Sequence, residues 1–576
     1  MTPIAQEGTR APLDAQRAAE RLTPLHAFYH WVQVKPDEIF LTQPLPDGTV
    51  VDYTWAQTAD AVRRMAAYVQ ALALPPKSNI GLLAKNSAQW FMADLAIWSA
   101  GHVSVPLYPT LSEDNVAYIL SHAEIALLFV GKLDAPAWEI MRPALRADLR
   151  TVNLPLGALE SGPQWDDIVA HTEPIAEIAE PQLSDVATIL YTSGSTGLPK
   201  GVVHAFASML PGTRAFDELF PHDTPDRFLS YLPLAHAAER VIVETPALLN
   251  GGRVFFANSL ETFSEDLKRA RPTLFFSVPR LWTRFHAGVA AKLPLAKQRV
   301  LFRIPFVGGR VKKKIIAGLG LDCVRVAFTG SAPLAVPIVR WYRELGLELL
   351  EGYGMTENFA ESHLCLPNQF RPGYVGPPLP GVECRIAANG EIEVKSPGQM
   401  LGYYKMPELT AETMTEDGFF RTGDRGEIDE RGRLRITGRV KDLFKTSKGK
   451  YVAPVPIEQR LGGDPRIEAV CVAGVGRPQP FALLMLSADA MDATRERDGR
   501  ARADLDAAFA ALLDSVNLAL EAHEQLAYAV VVKDPWTIES GLLTPTLKIK
   551  RDAIESRYLA RADLWERERR RIVWET

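Results

Sequence analysis

The spacing of hydrophobic and polar positions changes period several times along the chain, and each change predicts an element. Between Trp55 and Leu72, apolar Val62, Met65, Ala66, Val69 and Leu72 recur at helical spacing, as in a helix with one buried stripe. Asn79–Ala84 is a short apolar run, and Ala88–Ala100 is apolar over a helical length. Val103–Leu107, Glu113–His122 and Ile125–Val130 continue the alternation of strand, helix and strand. This βαβαβ rhythm predicts a parallel sheet covered by helices. Residues 151–184 are rich in Pro and acids and read as a connecting segment. A second α/β half follows, with strand Arg227–Tyr231, helix Ala237–Leu249, and strands Arg253–Ala257, Thr273–Val278 and Leu321–Thr329. From Gly390 the stretches Glu391–Val394 and Leu434–Thr437 alternate over a few residues, which predicts a small antiparallel β region. The C-terminal part reads as a separate α+β lobe, with strands near Ile467–Val475 and Phe481–Leu486 and a mobile loop at Asp492–Arg502. The fold class expected is α/β: a large N-terminal domain of stacked α/β subdomains plus a small β region, then a small mobile α+β domain.

One polar stretch does not read as a simple connection. Tyr191-Thr192-Ser193-Gly194-Ser195-Thr196-Gly197-Leu198-Pro199-Lys200-Gly201 follows the strand-like run Ala187–Leu190 and precedes apolar Val202-Val203. Hydroxyls and glycines this dense can aim many N–H and O–H groups at one anion, and Lys200 adds a mobile positive charge. A polyphosphate is the natural guest. The glycine spacing and the Gly201 after the lysine do not match G-x-x-x-x-G-K-[ST], so this is not a Walker loop.

Composition narrows the classes. A chain of 576 residues, 47% hydrophobic and 23% charged, is expected to form two or more globular domains. Lys+Arg 64 against Asp+Glu 69 gives −5, so no global field favours nucleic acid. Cys323, Cys365, Cys384 and Cys471 form no C-x-x-C pair; neither disulfides nor a zinc site is expected, which suits a reducing cytoplasm. Met1–Leu25 carries Glu7, Arg10, Asp14, Arg17, Glu20 and Arg21 without an apolar core, unlike a secretory signal. No apolar run reaches the roughly eighteen residues of a membrane-spanning helix. Peripheral contact at an inner membrane stays open. The terminal Trp565–Arg571 reads as a solvated helix end, with contact to anionic lipid as the alternative.

The eleven residues of the polar stretch resemble the phosphate-binding signature of the adenylate-forming enzymes, the superfamily of acyl-CoA synthetases and peptide-synthetase adenylation domains. Further matches follow in the same order over roughly residues 40–555: Tyr231–His236, Gly330–Leu334, Glu351–Glu357, Arg421–Asp424, Gly438–Asp442 and Leu543–Arg551. Within the superfamily, the Pro233–Arg240 and Thr544–Arg551 segments are most similar to the long-chain fatty acyl-CoA synthetases.

The resemblance implies ATP, Mg²⁺ and CoA, and a medium- or long-chain fatty acid that is first joined to AMP and then to CoA. It places ATP against Thr192, Ser193, Gly194, Ser195, Thr196, Gly197, Lys200, Gly330, Ser331, Ala332, Glu351, Gly352, Tyr353, Gly354, Thr356, Asp424 and Arg439. In this reading Tyr353 lies on adenine, and the Asp424 carboxylate accepts from the ribose hydroxyls. Thr192 and Glu357 serve the metal and, with Lys548, the catalysis. Lys550 is a competitor for the role of Lys548, because Leu547 stands where relatives have Gly. His236 borders the acyl pocket, Lys448 and Gly449 line the CoA channel, and Lys441 is the hinge, which divides the chain into 1–440 and 441–576. Some relatives carry a gating Trp beyond the His; here Glu239-Arg240 stand in its place. Transfer to a carrier protein and a catalytically silent binding module are the alternatives. No nucleic-acid partner is expected, and a homodimer is compatible with the sequence.

Overall fold

The computed structural model describes residues 22–157, 159, 161–193, 198–222, 224–494, 500–538, 540–544 and 548–576. The chain packs as two compact units. The first comprises residues 1–192, 199–258 and 400–404, and the second 193–198, 259–399 and 405–576.

In the first unit a seven-stranded sheet runs, among the described residues, in the order Gly402–Tyr403, Pro199–Ala205, Val186–Ser193, Val103–Leu107, Asn79–Leu83, Leu127–Val130, Arg150–Asn153. Pairing is parallel from Val186–Ser193 through to Arg150–Asn153. The antiparallel edge is made by Gly402–Tyr403. A second sheet orders Val50–Thr54, Ile39–Pro44, Arg253–Phe256 and Arg227–Ser230. Local chemistry fixes the helices between them. Thr54 caps Trp55–Ala71 reciprocally with Gln57, and the Ser87 hydroxyl accepts from the Trp90 N–H at the start of Ala88–Ser99. Ala88–Ser99 is buried all round, as its continuous apolar run predicts.

The second unit holds the sheet Leu274–Ser277, Val326–Thr329, Leu349–Tyr353, His363–Leu364, and the antiparallel sheet Glu383–Ile386, Glu391–Lys395, Phe420–Ile428, Leu434–Arg439. Its C-terminal part builds a mixed sheet, Ile467–Ala473, Phe481–Leu486, Ala529–Val531, Ile572–Trp574. Two apolar clusters, one on each face, are drawn wholly from residues 444–573.

Several expectations change. Residues 151–184 are more than a connection: Arg150–Asn153 is an edge strand and Trp165–His171 a helix with buried Trp165 and Ile168. The helix expected over Ala237–Leu249 is composite, with a π-helical turn at Arg240–Glu244 between two α-helical pieces. The strand over Leu321–Thr329 begins only at Val326, since Leu321–Val324 is a turn. Asp492 lies in the last turn of the helix Ala488–Ala493, and Arg500–Arg502 begin the helix Arg500–Asn517; residues 495–499 lie outside the described set. The helix Pro24–Val34, which buries Leu25, Ala27 and Phe28, was hidden by the polar leader before it. Trp565 packs into the C-terminal core, so the apolar side of the terminal run faces inward. No helix among the described residues is long and apolar enough to cross a membrane.

Candidate active site

In the first unit the strand Val186–Ser193 ends on Thr192 and Ser193, and the strand Pro199–Ala205 leaves with Lys200. Gly194, Ser195, Thr196 and Gly197 lie outside the described residues. The strand after the loop leaves no room for a side chain at Gly201, where a Cβ would stand 2.9 Å from Ile189 and 3.1 Å from the Tyr191 ring. Tyr191 is held by its hydroxyl, 2.7 Å from His122 Nδ1. The Lys200 ammonium stands 5.4 Å from the centre of the Tyr403 ring, within cation–π range.

His236 starts the composite helix. Its Nδ1 accepts from the Ala238 N–H at 3.1 Å, and its ring meets the buried Tyr108 edge-on at 6.5 Å. Three residues on, Glu239 is buried; one carboxyl oxygen accepts from Ser230 Oγ at 2.8 Å, the Tyr231 N–H at 3.0 Å and Asn86 Nδ2 at 3.3 Å. Burial pushes this carboxyl up to about 8 against the pull of the Ser230 and Tyr231 donors. Arg240 is fully buried, 2.7 Å from Asp94 and 2.9 Å from Glu244. In the sequence Glu239-Arg240 reads only as the absence of a gating Trp; in the structure both are buried among Ser230, Asn86, Asp94 and Glu244.

In the second unit the strands Phe420–Ile428 and Leu434–Arg439 bring Asp424 and Arg439 into direct register. Arg439 Nε donates to one Asp424 oxygen at 3.1 Å, and the Tyr353 hydroxyl donates to the other at 2.7 Å. Burial works against the Arg439 charge, but Asp424 and Asp442 outweigh it and raise its pKa. Burial first, then Asp424, raises the Tyr353 phenol well above its ordinary range. The Asp424 N–H donates to Thr422 Oγ1 at 3.1 Å, and the Gly423 N–H donates to Glu391 at 2.9 Å. The carboxylate is thereby held in mid-strand, opposite the last residue of Leu434–Arg439.

Tyr353 ends the strand Leu349–Tyr353, and Gly354 follows because a Cβ there would lie 2.2 Å from the Ala360 carbonyl oxygen. Thr356 and Glu357 then form a single 3₁₀ turn, Thr356–Asn358, pinned by Asn358 Oδ1 accepting from the Met355 N–H at 3.0 Å. Glu351, on the same strand as Tyr353, is buried and pushed up to about 7 by burial. Gly330, Ser331 and Ala332 follow the neighbouring strand Val326–Thr329, with Ser331 in the left-handed region at φ +66°.

Lys548 reaches this group. Its backbone is closed against Thr544: the Thr544 N–H donates to the Lys548 carbonyl at 2.8 Å, and the Lys548 N–H donates to Thr544 Oγ1 at 3.0 Å. As a residue it is exposed, while the protein crowds its ammonium and removes part of its water. That loss of water lowers its pKa, the Arg439 charge lowers it further, and the Asp424 and Glu357 carboxylates oppose both. The structure thus gathers Tyr353, Glu357, Asp424, Arg439 and Lys548, which are far apart in sequence. Lys550 instead precedes the helix Arg551–Tyr558. Arg551 beside it is an anchor, 2.7 Å from Glu458 and 2.8 Å from the Val472 carbonyl. Lys448 and Gly449 occupy the turn between Phe444–Lys445 and Tyr451–Val452, with Gly449 at φ +76°. Lys441 lies in the turn just after the strand Leu434–Arg439.

Comparison with known proteins agrees with this architecture. Residues 28–404 match the family model described as AMP-binding enzyme, and residues 441–564 match the AMP-binding enzyme C-terminal domain. The long-chain-fatty-acid–CoA ligase FadD15 of Mycobacterium bovis is 30% identical, over 91% of this chain and 93% of its own. Long-chain-fatty-acid–CoA ligase 6 of Homo sapiens is also 30% identical, over 82% of this chain and 76% of its own. The adenylation–carrier didomain of carboxylic acid reductase from Segniliparus rugosus, solved with AMP, superposes with a TM-score of 0.78 at 21% identity, covering 96% and 85% of the two chains. The fold is that of the adenylate-forming enzymes. The chain belongs to the AMP-binding enzyme family.

Proposed function

We propose that the protein is a long-chain-fatty-acid–CoA ligase. It would join a medium- or long-chain fatty acid to AMP at the expense of ATP, release pyrophosphate, and pass the acyl group to CoA. The observation that carries this reading is the convergence of Lys548 on Asp424, Glu357 and Arg439, in a chain 30% identical to long-chain ligases over most of its length. A cation with little water around it, beside two carboxylates, is poised for a site that receives anions.

In this reading Asp424 accepts from the ribose hydroxyls, and Tyr353, fixed to Asp424, offers its ring to adenine. Lys200 and the loop Thr192–Gly197 would bind phosphate, and Gly330–Ala332, Glu351–Gly352, Gly354 and Thr356 are the further nucleotide-binding residues of the second unit. The pairing of Arg439 with Asp424 leaves the remaining guanidinium N–H groups for ribose or phosphate. Thr192 and Glu357 offer hard oxygen donors that suit Mg²⁺, which would offset the repulsion between the attacking carboxylate and the phosphate. Attack of the fatty carboxylate on the α-phosphorus breaks the bond to pyrophosphate; the CoA thiol then attacks the acyl carbon and displaces AMP. No covalent enzyme intermediate is needed, so positioning and charge stabilisation supply the catalysis. His236, against Tyr108, borders the acyl chain. The separate cores within residues 444–573 support a lobe, 441–576, that turns about Lys441 between the steps and offers Lys448 and Gly449 to CoA.

The decisive assay is AMP release over a panel of acyl chains, with and without CoA. Release that requires CoA, with acyl-CoA formed, supports the reading. Adenylate formation without a CoA product would transfer the protein to the carrier-dependent class, and no pyrophosphate release with any acid would leave a silent binding module.

Two variants test single roles. Asp424→Ala should raise the KM for ATP about 10- to 100-fold, the loss of charge-assisted hydrogen bonds amounting to about 1.5–3 kcal/mol. An unchanged KM in a folded variant would remove Asp424 from the ribose site. Glu357→Gln should lower kcat about tenfold or more with a smaller change in ATP affinity, because a ligand of the metal matters most as charge develops. If turnover and its dependence on Mg²⁺ both persist, the metal is bound without Glu357.

A further inference from the structure

Between Asp266 and Asp322 the sequence contains no Asp or Glu, whereas Lys and Arg recur throughout, thirteen in all. In a chain whose overall charge is −5, this is a local reversal of sign within the second unit. Its outermost part is a helical pair, Leu295–Leu301 and Val307–Gly318. On the longer helix Arg310, Lys313 and Lys314 are exposed, and their spacing puts them on one face. The ion pairs of the segment lie elsewhere in it, at Arg269–Asp266, Arg271–Asp322 and Arg280–Glu468. Among the described residues Arg303, Arg310, Lys313 and Lys314 have no carboxylate partner.

The tip of the pair is apolar. Ile304, Phe306 and Val307 are exposed in sequence between the cations, Phe306 to 87% and Val300 nearby to 64%. Phe306 also sits in the left-handed region at φ +62°, an unfavourable place for a bulky aromatic. The turn is nonetheless built: the Val307 N–H donates to the Pro305 carbonyl, and the Gly308 N–H to the Ile304 carbonyl at 2.9 Å. Behind it, buried Gln298 accepts from the Trp341 indole N–H at 2.7 Å and ties the first helix to the helix Val336–Leu345. An aromatic both strained and placed in water is disfavoured twice over in the isolated chain, so its surroundings in use should be apolar.

We propose that residues 295–318 form a docking surface for an anionic lipid bilayer, with Arg310, Lys313 and Lys314 on the headgroups and Phe306 inserted at the acyl boundary. Cations around aliphatic and aromatic tips match the two layers of a membrane interface. A nucleic acid would match the cations but would leave Ile304, Val307 and Val300 in water, where stacking needs aromatic faces. This assignment goes beyond the ligase reading, and its test needs neither ATP nor CoA, so the two fail separately.

The test is co-sedimentation of the full chain with vesicles of phosphatidylcholine, alone or with one third phosphatidylglycerol. Binding is expected at least tenfold tighter to the anionic vesicles, and it should fall away in 0.5 M salt, where charges are screened within a few ångströms. Reversing three charges, in R310E/K313E/K314E, should weaken binding about 10²-fold or more. Phe306→Gly accepts the positive-φ backbone at this turn (φ +62°, ψ −35°) and should fold at least as well, yet bind about tenfold more weakly because the apolar anchor is gone. Both variants should keep the wild-type thermal unfolding midpoint, the readout of an intact fold. Equal binding to neutral vesicles, or full binding by both variants, would overturn the proposal. So would tighter retention of a 30-nucleotide RNA than of vesicles, or loss of binding only on replacing Arg569, Arg570 and Arg571.

Discussion

Arg240→Met is expected to lower the stability of the protein by about 3–5 kcal/mol, the usual cost of removing one partner from a buried ionic group. Arg240 is the single cation among Asp94, Glu244 and Glu239, all of them buried. It stands 2.7 Å from Asp94 and 2.9 Å from Glu244, with the rings of Trp90 and Trp98 at 5.6 and 5.5 Å. Asp94 is further held by the Ser104 hydroxyl. Methionine fills much of the same volume, so the cavity term stays small. What it leaves is two carboxyls in an apolar layer without a counter-charge. Burial already raises the pKa of Glu244, Arg240 acting against it; without Arg240 the shift must grow. A carboxyl with a raised pKa in the folded state contributes most below its unfolded value and loses that contribution as pH rises. The deficit of the variant should therefore shrink toward pH 5 and widen toward pH 8. Urea unfolding followed by tryptophan fluorescence, compared at the two pH values, measures this. A loss under about 1 kcal/mol at both would mean that the acids are neutral in the wild type and that Arg240 is not their counter-charge.

The same group shows where sequence reading stops. Val103–Leu107, Glu113–His122 and Phe481–Leu486 have the bounds expected, because each is a clean apolar period closed by a residue that caps or turns. Arg240 and Glu244 are four apart and read as a polar stripe on a helix. Only the π turn and the crossing of Ala88–Ser99 reveal that the stripe faces inward. A signal was available: Asp94 is the one charged residue in a helix otherwise uncharged and mostly apolar, and such an acid needs a cation. The helix Pro24–Val34 was missed because its apolar side is short and follows a polar leader. Sheet order was out of reach for a different reason. Strand pairing joins segments a hundred residues apart, and no local period encodes which strand lies next to which.

For the site, motifs supplied the names but not the distances. Asp424 and Arg439 are fifteen residues apart, and their pairing follows from one hairpin, Phe420–Ile428 with Leu434–Arg439. Only the second strand of that hairpin was visible as an alternation, since Arg421-Thr422-Gly423-Asp424 reads as a turn. Tyr353 donating to Asp424, and Lys548 drawn toward both Asp424 and Arg439, are long-range facts that composition and period do not contain. The buried carboxyls of Glu351 and Glu361, pushed up to about 7 and about 8 by burial, were equally invisible in their character. Nothing in a sequence distinguishes a neutral glutamic acid from a solvated glutamate until burial is known.

Lys548→Ala should separate the two half-reactions, with the larger rate loss in the first. The Lys548 ammonium is partly stripped of water, is repelled by Arg439 and is favoured by Asp424 and Glu357. Such a cation is pre-placed, because the protein has already met its desolvation cost before a substrate arrives. A fatty carboxylate and an α-phosphate are both anionic, and a donor between them would offset repulsion just where the new bond forms. Removing one donor of that kind lowers the rate by about 10²–10³-fold. The thiol step begins from a mixed anhydride that carries less charge at the reacting carbon, and in the proposed cycle the lobe has by then turned Lys548 away. Supplied with synthetic acyl-adenylate and CoA, Lys548→Ala should form thioester at close to the wild-type rate; supplied with fatty acid, ATP and Mg²⁺, it should be severely impaired. The pH profile gives a second readout: the wild type should lose adenylation as rising pH discharges Lys548, at a value below that of an ordinary lysine, and the variant should lack that limb. Equal loss in both half-reactions would assign Lys548 to the fold of its loop, where its backbone is bonded to Thr544. Unimpaired adenylation by Lys548→Ala, with the loss appearing in Lys550→Ala, would pass the role two residues along the chain.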